Sequence, residues 1–165
     1  MIRQTAFAFP RDGSSSGELR DDPRSGRSWG YCLETGLAGH AAALWTGLHL
    51  ALLLILSVRV VNLRRKHDVA FGDGGIAELT QAIRAFGNAT EYVPVGLIGL
   101  GLLSQMNASA IMIHIGGIVL LAGRGLHAFG LSVSAATTMP RIAGMIMTWL
   151  VYIYLLVSLI TYAVT

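Results

Sequence analysis

Apolar runs long enough to cross a bilayer follow one another from about Ala41, and one carries a cation, an amide and a carboxylate at its mouth. That stretch reads Arg84-Ala-Phe-Gly-Asn88-Ala-Thr-Glu91-Tyr92-Val-Pro94 and leads directly into Val-Gly-Leu-Ile-Gly-Leu-Gly-Leu-Leu. On a helix turning about 100° per residue, Asn88 lies about 40°, Glu91 about −20° and Tyr92 about 80° from Arg84. The four polar side chains therefore share one face. Charges at such a depth are costly, so they face a bundle interior or a watery cavity and mark function. The plainer reading is an interhelical ion pair that fixes packing.

Composition sets the class. The 165 residues are 53% hydrophobic and 13% charged, with a mean hydropathy of +0.60. That is too apolar for an ordinary soluble domain, and the length suits one membrane domain with no separate soluble enzyme. A single cysteine, Cys32, excludes an intrachain disulfide framework and a multi-cysteine metal site. No metal site is expected. The net charge of +3 is not arranged as a basic stripe or arm. It fits the anionic headgroups of a membrane better than nucleic acid, and no nucleic-acid partner is expected.

Residues 1–38 differ in kind from residues 39–165. Five arginines balance five acids up to Glu34 among serines and glycines. Such a segment buries too little apolar surface to offset its ordering entropy, so it reads as a disordered polar extension. Ala6 to Phe9 is too short for the apolar core of a signal peptide. An all-α bundle of four transmembrane helices follows, at about 41–61, 76–103, 110–131 and 141–163. Within the first, His49 suits a helix–helix hydrogen bond, and Arg59 suits snorkelling outward. The glycines of Phe71-Gly-Asp73-Gly-Gly75 break the chain, and Asp73 is placed to cap the second helix. Without a Walker lysine or a preceding strand they are not a phosphate loop. Pro94 predicts a kink just past Glu91. Arg124 and His127 share a face of the third helix.

Arg64, Arg65, Lys66 and Arg141 gather in the first and third loops, while the middle loop and the C-terminus hold no lysine or arginine. The positive-inside rule puts the basic loops in the cytoplasm.

The Arg84-x-x-x-Asn88-x-x-Glu91-Tyr92-x-Pro94 pattern resembles the MAPEG family, the membrane-associated proteins of eicosanoid and glutathione metabolism. The resemblance continues in the Arg-Arg-Lys run, in Gly-Asp-Gly-Gly, in Gly-Arg124-Gly-Leu-His127-Ala-Phe-Gly130-Leu and in Arg141-Ile-Ala-Gly-Met. It covers about residues 40–163 and is strongest with the bacterial branch. It implies a four-helix protomer of a homotrimer, in a bacterial inner membrane rather than the endoplasmic reticulum. It also implies glutathione as cosubstrate, bound between subunits near the cytoplasmic face, with Arg84, Asn88, Glu91, Tyr92 and His127 as contacts.

The chemistry implied is attack by the glutathione thiol on a hydrophobic small molecule, an electrophile or a peroxide, as in a transferase or peroxidase. Arg141 resembles the family's activating arginine and Arg124 is the second candidate. A guanidinium beside a thiol raises the thiolate fraction at neutral pH. The chain departs from the eicosanoid enzymes where third-helix tyrosines fall on His127 and Leu131. Histidine retains the ability to donate a hydrogen bond and leucine does not. Two other readings stand beside the enzyme. One is a non-catalytic binding or scaffold protein of the same fold, whose polar cluster only stabilises the trimer. The other is a small transporter using Arg84, Glu91 and His127, which the lack of an inverted repeat weakens.

Overall fold

Between Pro23 and Pro94 no proline interrupts the chain, so nothing forces the backbone to break ahead of the first apolar run. The computed structural model describes residues 25–134 and 136–164, with side chains from residue 36 onward. It shows four helices: α1 (Ser25–Lys66), α2 (Ala77–Gln105), α3 (Ala110–Val133) and α4 (Met139–Val164). α1 is 42 residues long, where the sequence reading began it near Ala41 and ended it near Val61. Residues 25–38, read as part of a disordered extension, are therefore helical, and residues 1–24 lie outside the described residues. Glycines such as Gly36 and Gly39 lower helix propensity by only about 1 kcal/mol each.

Short links at 67–76, 106–109 and 134–138 make successive helices antiparallel. The beginnings of α2 and α4 and the ends of α1 and α3 thus share one end of the bundle. α2 and α3 pack against each other and both touch α1 and α4, whereas among the described residues α1 and α4 do not meet. Among the described residues, three helical stretches are long and apolar enough to cross a membrane: Gly36–Lys66, Ala110–Val133 and Met139–Val164. The sequence reading had four. α2, at 29 residues, is long enough but not apolar enough, since its first half carries Glu78, Arg84 and Glu91. Leu54, Ile118 and Ile153 are each more than half exposed on the outer faces, as suits a lipid solvent.

Two close approaches set the packing. The indole of Trp45 lies flat against Gly117, where any Cβ would run into the ring, and its Nε1 donates to His114 Nδ1 at 3.1 Å. On the other side α3 crosses α4 at Gly123 and Gly144. A Cβ on Gly123 would sit 3.0 Å from the Gly144 carbonyl oxygen. Absent side chains there let two backbones approach closely, and residues just along α3 then reach the main chain of α4.

Several polar groups sit differently from the sequence reading. His49 is fully buried, and its Nδ1 donates to the Trp45 carbonyl of its own helix at 2.7 Å rather than to a neighbouring helix. Arg59 does not snorkel outward: its guanidinium donates to the Ser132 hydroxyl on α3. Asp73 is not the N-cap of α2, since Ile76 holds that position without a side-chain cap. Its carboxylate instead accepts from the Gly75 N–H at 3.1 Å and from the Thr80 hydroxyl at 2.8 Å, tying the loop to the first turns of α2. Those two donors hold the Asp73 carboxyl below the usual carboxylate range. Gly74 has φ +58°, and a Cβ there would meet Val69 at 2.8 Å. α2 continues through Pro94. The Tyr152 hydroxyl donates to the Tyr92 carbonyl at 2.7 Å and ties α4 to this part of α2.

Candidate functional site

The close crossing of α3 and α4 places two α3 side chains against the α4 backbone. Arg124 is 1% exposed. Its Nε donates to the Thr148 hydroxyl at 2.9 Å, and one terminal nitrogen approaches the Gly144 carbonyl at 3.4 Å. Its guanidinium carbon lies 4.9 Å from the centre of the Tyr92 ring, within the range of a cation–π contact. The other terminal nitrogen is buried with no hydrogen-bond partner among the described residues. One turn on, His127 Nδ1 donates to the Arg141 carbonyl at 3.1 Å.

The Arg141 side chain, in the first turns of α4, borders two clefts open to the protomer surface. The first, of about 310 Å³, is lined by Ala77, Thr80, Gln81, Arg84, Leu131 and Arg141. The second, of about 300 Å³, is lined by Asn88, His127, Thr137, Arg141, Ile142, Met145, Ile146 and Trp149. Each matches the lower end of small-ligand pockets, about 300–1,000 Å³. Both lie at the bundle end that carries Arg64, Arg65 and Lys66, because α2 and α4 start there.

Of the seven residues singled out from sequence, four gather around these clefts: Arg84, Asn88, His127 and Arg141. Asn88 spends an amide hydrogen on the Arg84 carbonyl at 3.0 Å, which leaves its side-chain oxygen available to a donor. Glu91 is exposed and lines neither cleft. Tyr92 is turned inward, with its ring against Arg124 and Tyr152. Arg124 is enclosed by Tyr92, Gly144, Met145 and Thr148 and borders neither cleft. His127 directs its Nδ1–H to the α4 main chain.

Thr80 and Gln81 were not anticipated. They lie four and three residues before Arg84, and that helical spacing was the signal for them. Met145, Ile146 and Trp149 give the second cleft an apolar wall, and their four- and three-residue spacing along α4 was equally readable. The chemistry of the pair of clefts is that of an anion receptor: two guanidiniums, two amides, an imidazole and hydroxyls beside apolar surface.

The sequence pattern of the MAPEG family matches residues 42–161. The inner membrane protein YecN of Escherichia coli K12 is 46% identical over 89 residues, which cover 54% of this chain and 68% of YecN. The YecN of Escherichia coli O6:H1 matches to the same extent. The family match takes in most of α1 and the whole of α2 and α3, and it reaches Thr161 in α4. With its all-helical fold and apolar outer faces, this chain is an integral membrane protein and belongs to the MAPEG family.

Proposed function

We propose that the protein is a glutathione-dependent membrane enzyme that directs the glutathione thiol at hydrophobic molecules dissolved in the bilayer. The observation that carries this reading is Arg141 standing between two clefts, one with Arg84 and the other with Asn88 and His127. Glutathione carries two carboxylates, an ammonium group and a thiol. Guanidiniums suit the carboxylates, Asn88 suits a peptide amide, and a cation beside the sulfur favours the thiolate. Of the two arginines considered for thiol activation, Arg141 is the one that borders the clefts, so it takes that role. The apolar wall at Ile146 and Trp149 suits a lipid-dissolved electrophile.

The clefts of one protomer are open, and Arg84 and Glu91 are exposed on its α2 face. Charged groups at this depth call for cover. A homotrimer supplies it, with a neighbouring copy closing each site and bringing Glu91 within reach of the ammonium group. The basic bundle end faces the cytoplasm of a bacterial inner membrane, by the positive-inside rule. Leu131 in the first cleft favours a second reading, since it offers no hydrogen bond to a thiolate. In that reading the protein binds glutathione without using it.

A thermal-shift titration of the purified protein in lipid nanodiscs tests the binding. A ligand that prefers the folded state adds about 2.7 kcal/mol of stability at a concentration one hundred times its Kd. A midpoint that rises with glutathione but not with an equal concentration of glutamate supports the proposal. A midpoint that stays flat sinks it.

A further inference from the structure

The surroundings of the His127 imidazole fix its tautomer. Nδ1 lies 3.1 Å from the main-chain carbonyl of Arg141, and a carbonyl only accepts, so Nδ1 carries a hydrogen. In the neutral ring Nε2 is then an acceptor with a free lone pair. His127 is 4% exposed and lines the second cleft beside Asn88 and Arg141, so Nε2 is the ring nitrogen left for a ligand there. The ring is also held in place. A Cβ on Gly144 would stand 2.9 Å from the His127 Cβ, so α4 abuts the backbone that carries it. A rigid acceptor within reach of a thiol is placed to take its proton, and the thiolate formed beside it offsets the repulsion from the guanidinium.

We propose that His127 is the general base for the glutathione thiol and the acid that later returns the proton, an inference that rests on the glutathione reading of the clefts. Nε2 takes the proton as the S–H bond breaks, and sulfur keeps the electron pair. That pair forms the C–S bond with the electrophile. In an epoxide the C–O bond breaks and its pair stays on oxygen. In an activated alkene the π pair moves towards the activating group. Nε2–H protonates the resulting anion, and the ring is neutral again with no oxidant or reductant consumed. The substrates are therefore apolar epoxides and activated alkenes, which need a proton to finish the reaction, more than halides that merely expel an anion. Arg124 on α3 and Arg141 on α4 are cations that oppose charging of the ring, so the proton stays on His127 only while the thiolate lies beside it; α2 brings the neutral Asn88 to the cleft. Proton transfer within the site leaves its net charge unchanged. The imidazolium also strengthens its Nδ1–H bond to the Arg141 carbonyl.

The experiment counts protons in the full-length protein in nanodiscs. Glutathione is added at pH 7 in weakly buffered indicator dye while thiolate is read by its ultraviolet absorbance. If His127 keeps the thiol proton, thiolate appears with almost no proton released; activation by arginine alone releases about one proton per thiolate. His127→Asn retains an N–H for the Arg141 carbonyl and removes the acceptor at Nε2. It should lower the thiolate signal several-fold, with whatever remains accompanied by about one proton per thiolate. Full proton release in the wild type, no thiolate in the wild type, or a variant matching the wild type in both readouts overturns the base. Failure of glutathione to bind at all, read by equilibrium dialysis of labelled peptide, overturns instead the reading on which the base depends.

Discussion

The ring of His127 on α3 is joined to the main-chain carbonyl of Arg141 on α4 by a 3.1 Å hydrogen bond. The bond sits one turn along α3 from the pair formed by Arg124 and Thr148. Both links depend on the close crossing at Gly123 and Gly144. α4 therefore meets α3 in one register, and that register sets where the Arg141 side chain stands between its two clefts.

Arg124 is a buried cation with no carboxylate against it among the described residues, and one of its nitrogens is unpaired. Replacing a buried charge by a packed apolar side chain of similar length is often neutral or stabilising. Arg124→Met should therefore unfold in detergent at or above the wild-type temperature. Arg124→Ala, which leaves a cavity beside Tyr92, should lose about 2–5 kcal/mol. Equal losses in the two variants would mean that the guanidinium bonds themselves hold the bundle.

The Asp73 carboxyl titrates below its ordinary value of 3.8 because the Gly75 N–H and the Thr80 hydroxyl bind its charged form. A depressed folded-state pKa contributes stability that is complete above the unfolded value and fades as pH falls through the folded one. Hydrogen exchange at Gly75 and in the first turn of α2 should accordingly lose protection below about pH 3.8 relative to mid-helix amides. Asp73→Asn should flatten that profile. An unchanged acid limb in the variant would remove Asp73 as its cause.

Arg84 lines the first cleft with Arg141. Arg84→Ala should weaken glutathione binding by about 1.5–3 kcal/mol, the range for a hydrogen bond to a charged group. Arg84→Lys should restore only part of it, since lysine lacks the planar fork that grips a carboxylate. Calorimetry on size-exclusion-purified protein measures both. An unaltered affinity in an intact oligomer would take Arg84 out of the site.

Orientation is tested with a cysteine at Lys66 after Cys32 has been replaced. Lys66 closes the basic run at the end of α1, so an impermeant thiol reagent should label it in inverted vesicles and not in intact cells. The opposite pattern would turn the site to the outer face.

Much of this was readable from residue order. Ser109 caps α3, Pro140 stands in the first turn of α4, and glycines with positive φ close the loop before α2, so local chemistry marks where those helices begin. The start of α1 was not legible, because it falls inside a charge-balanced segment that resembles a disordered one, although Pro23 stands two residues before it. Arg84 and Asn88 were identifiable as site candidates from their types and spacing, and His127 and Arg141 through the resemblance to the MAPEG family. The inward turn of Tyr92 and Arg124 was not, because it depends on Thr148 and Tyr152 from α4. The Arg59 bond to Ser132 and the His127 bond to Arg141 equally join residues far apart in the chain, and helical periodicity says nothing of such partners.

The central claim is that Arg141 holds glutathione with its sulfur as a thiolate. Ultraviolet titration of bound glutathione against pH, in the wild type and in Arg141→Ala, tests it most directly. In the wild type the bound thiol should ionise well below the free value of about 8.5. In Arg141→Ala the midpoint should move back towards that value, each unit representing ~1.4 kcal/mol of lost thiolate stabilisation, while binding weakens much less. A wild-type complex without thiolate near neutral pH, or an Arg141→Ala midpoint equal to that of the wild type, would contradict the claim.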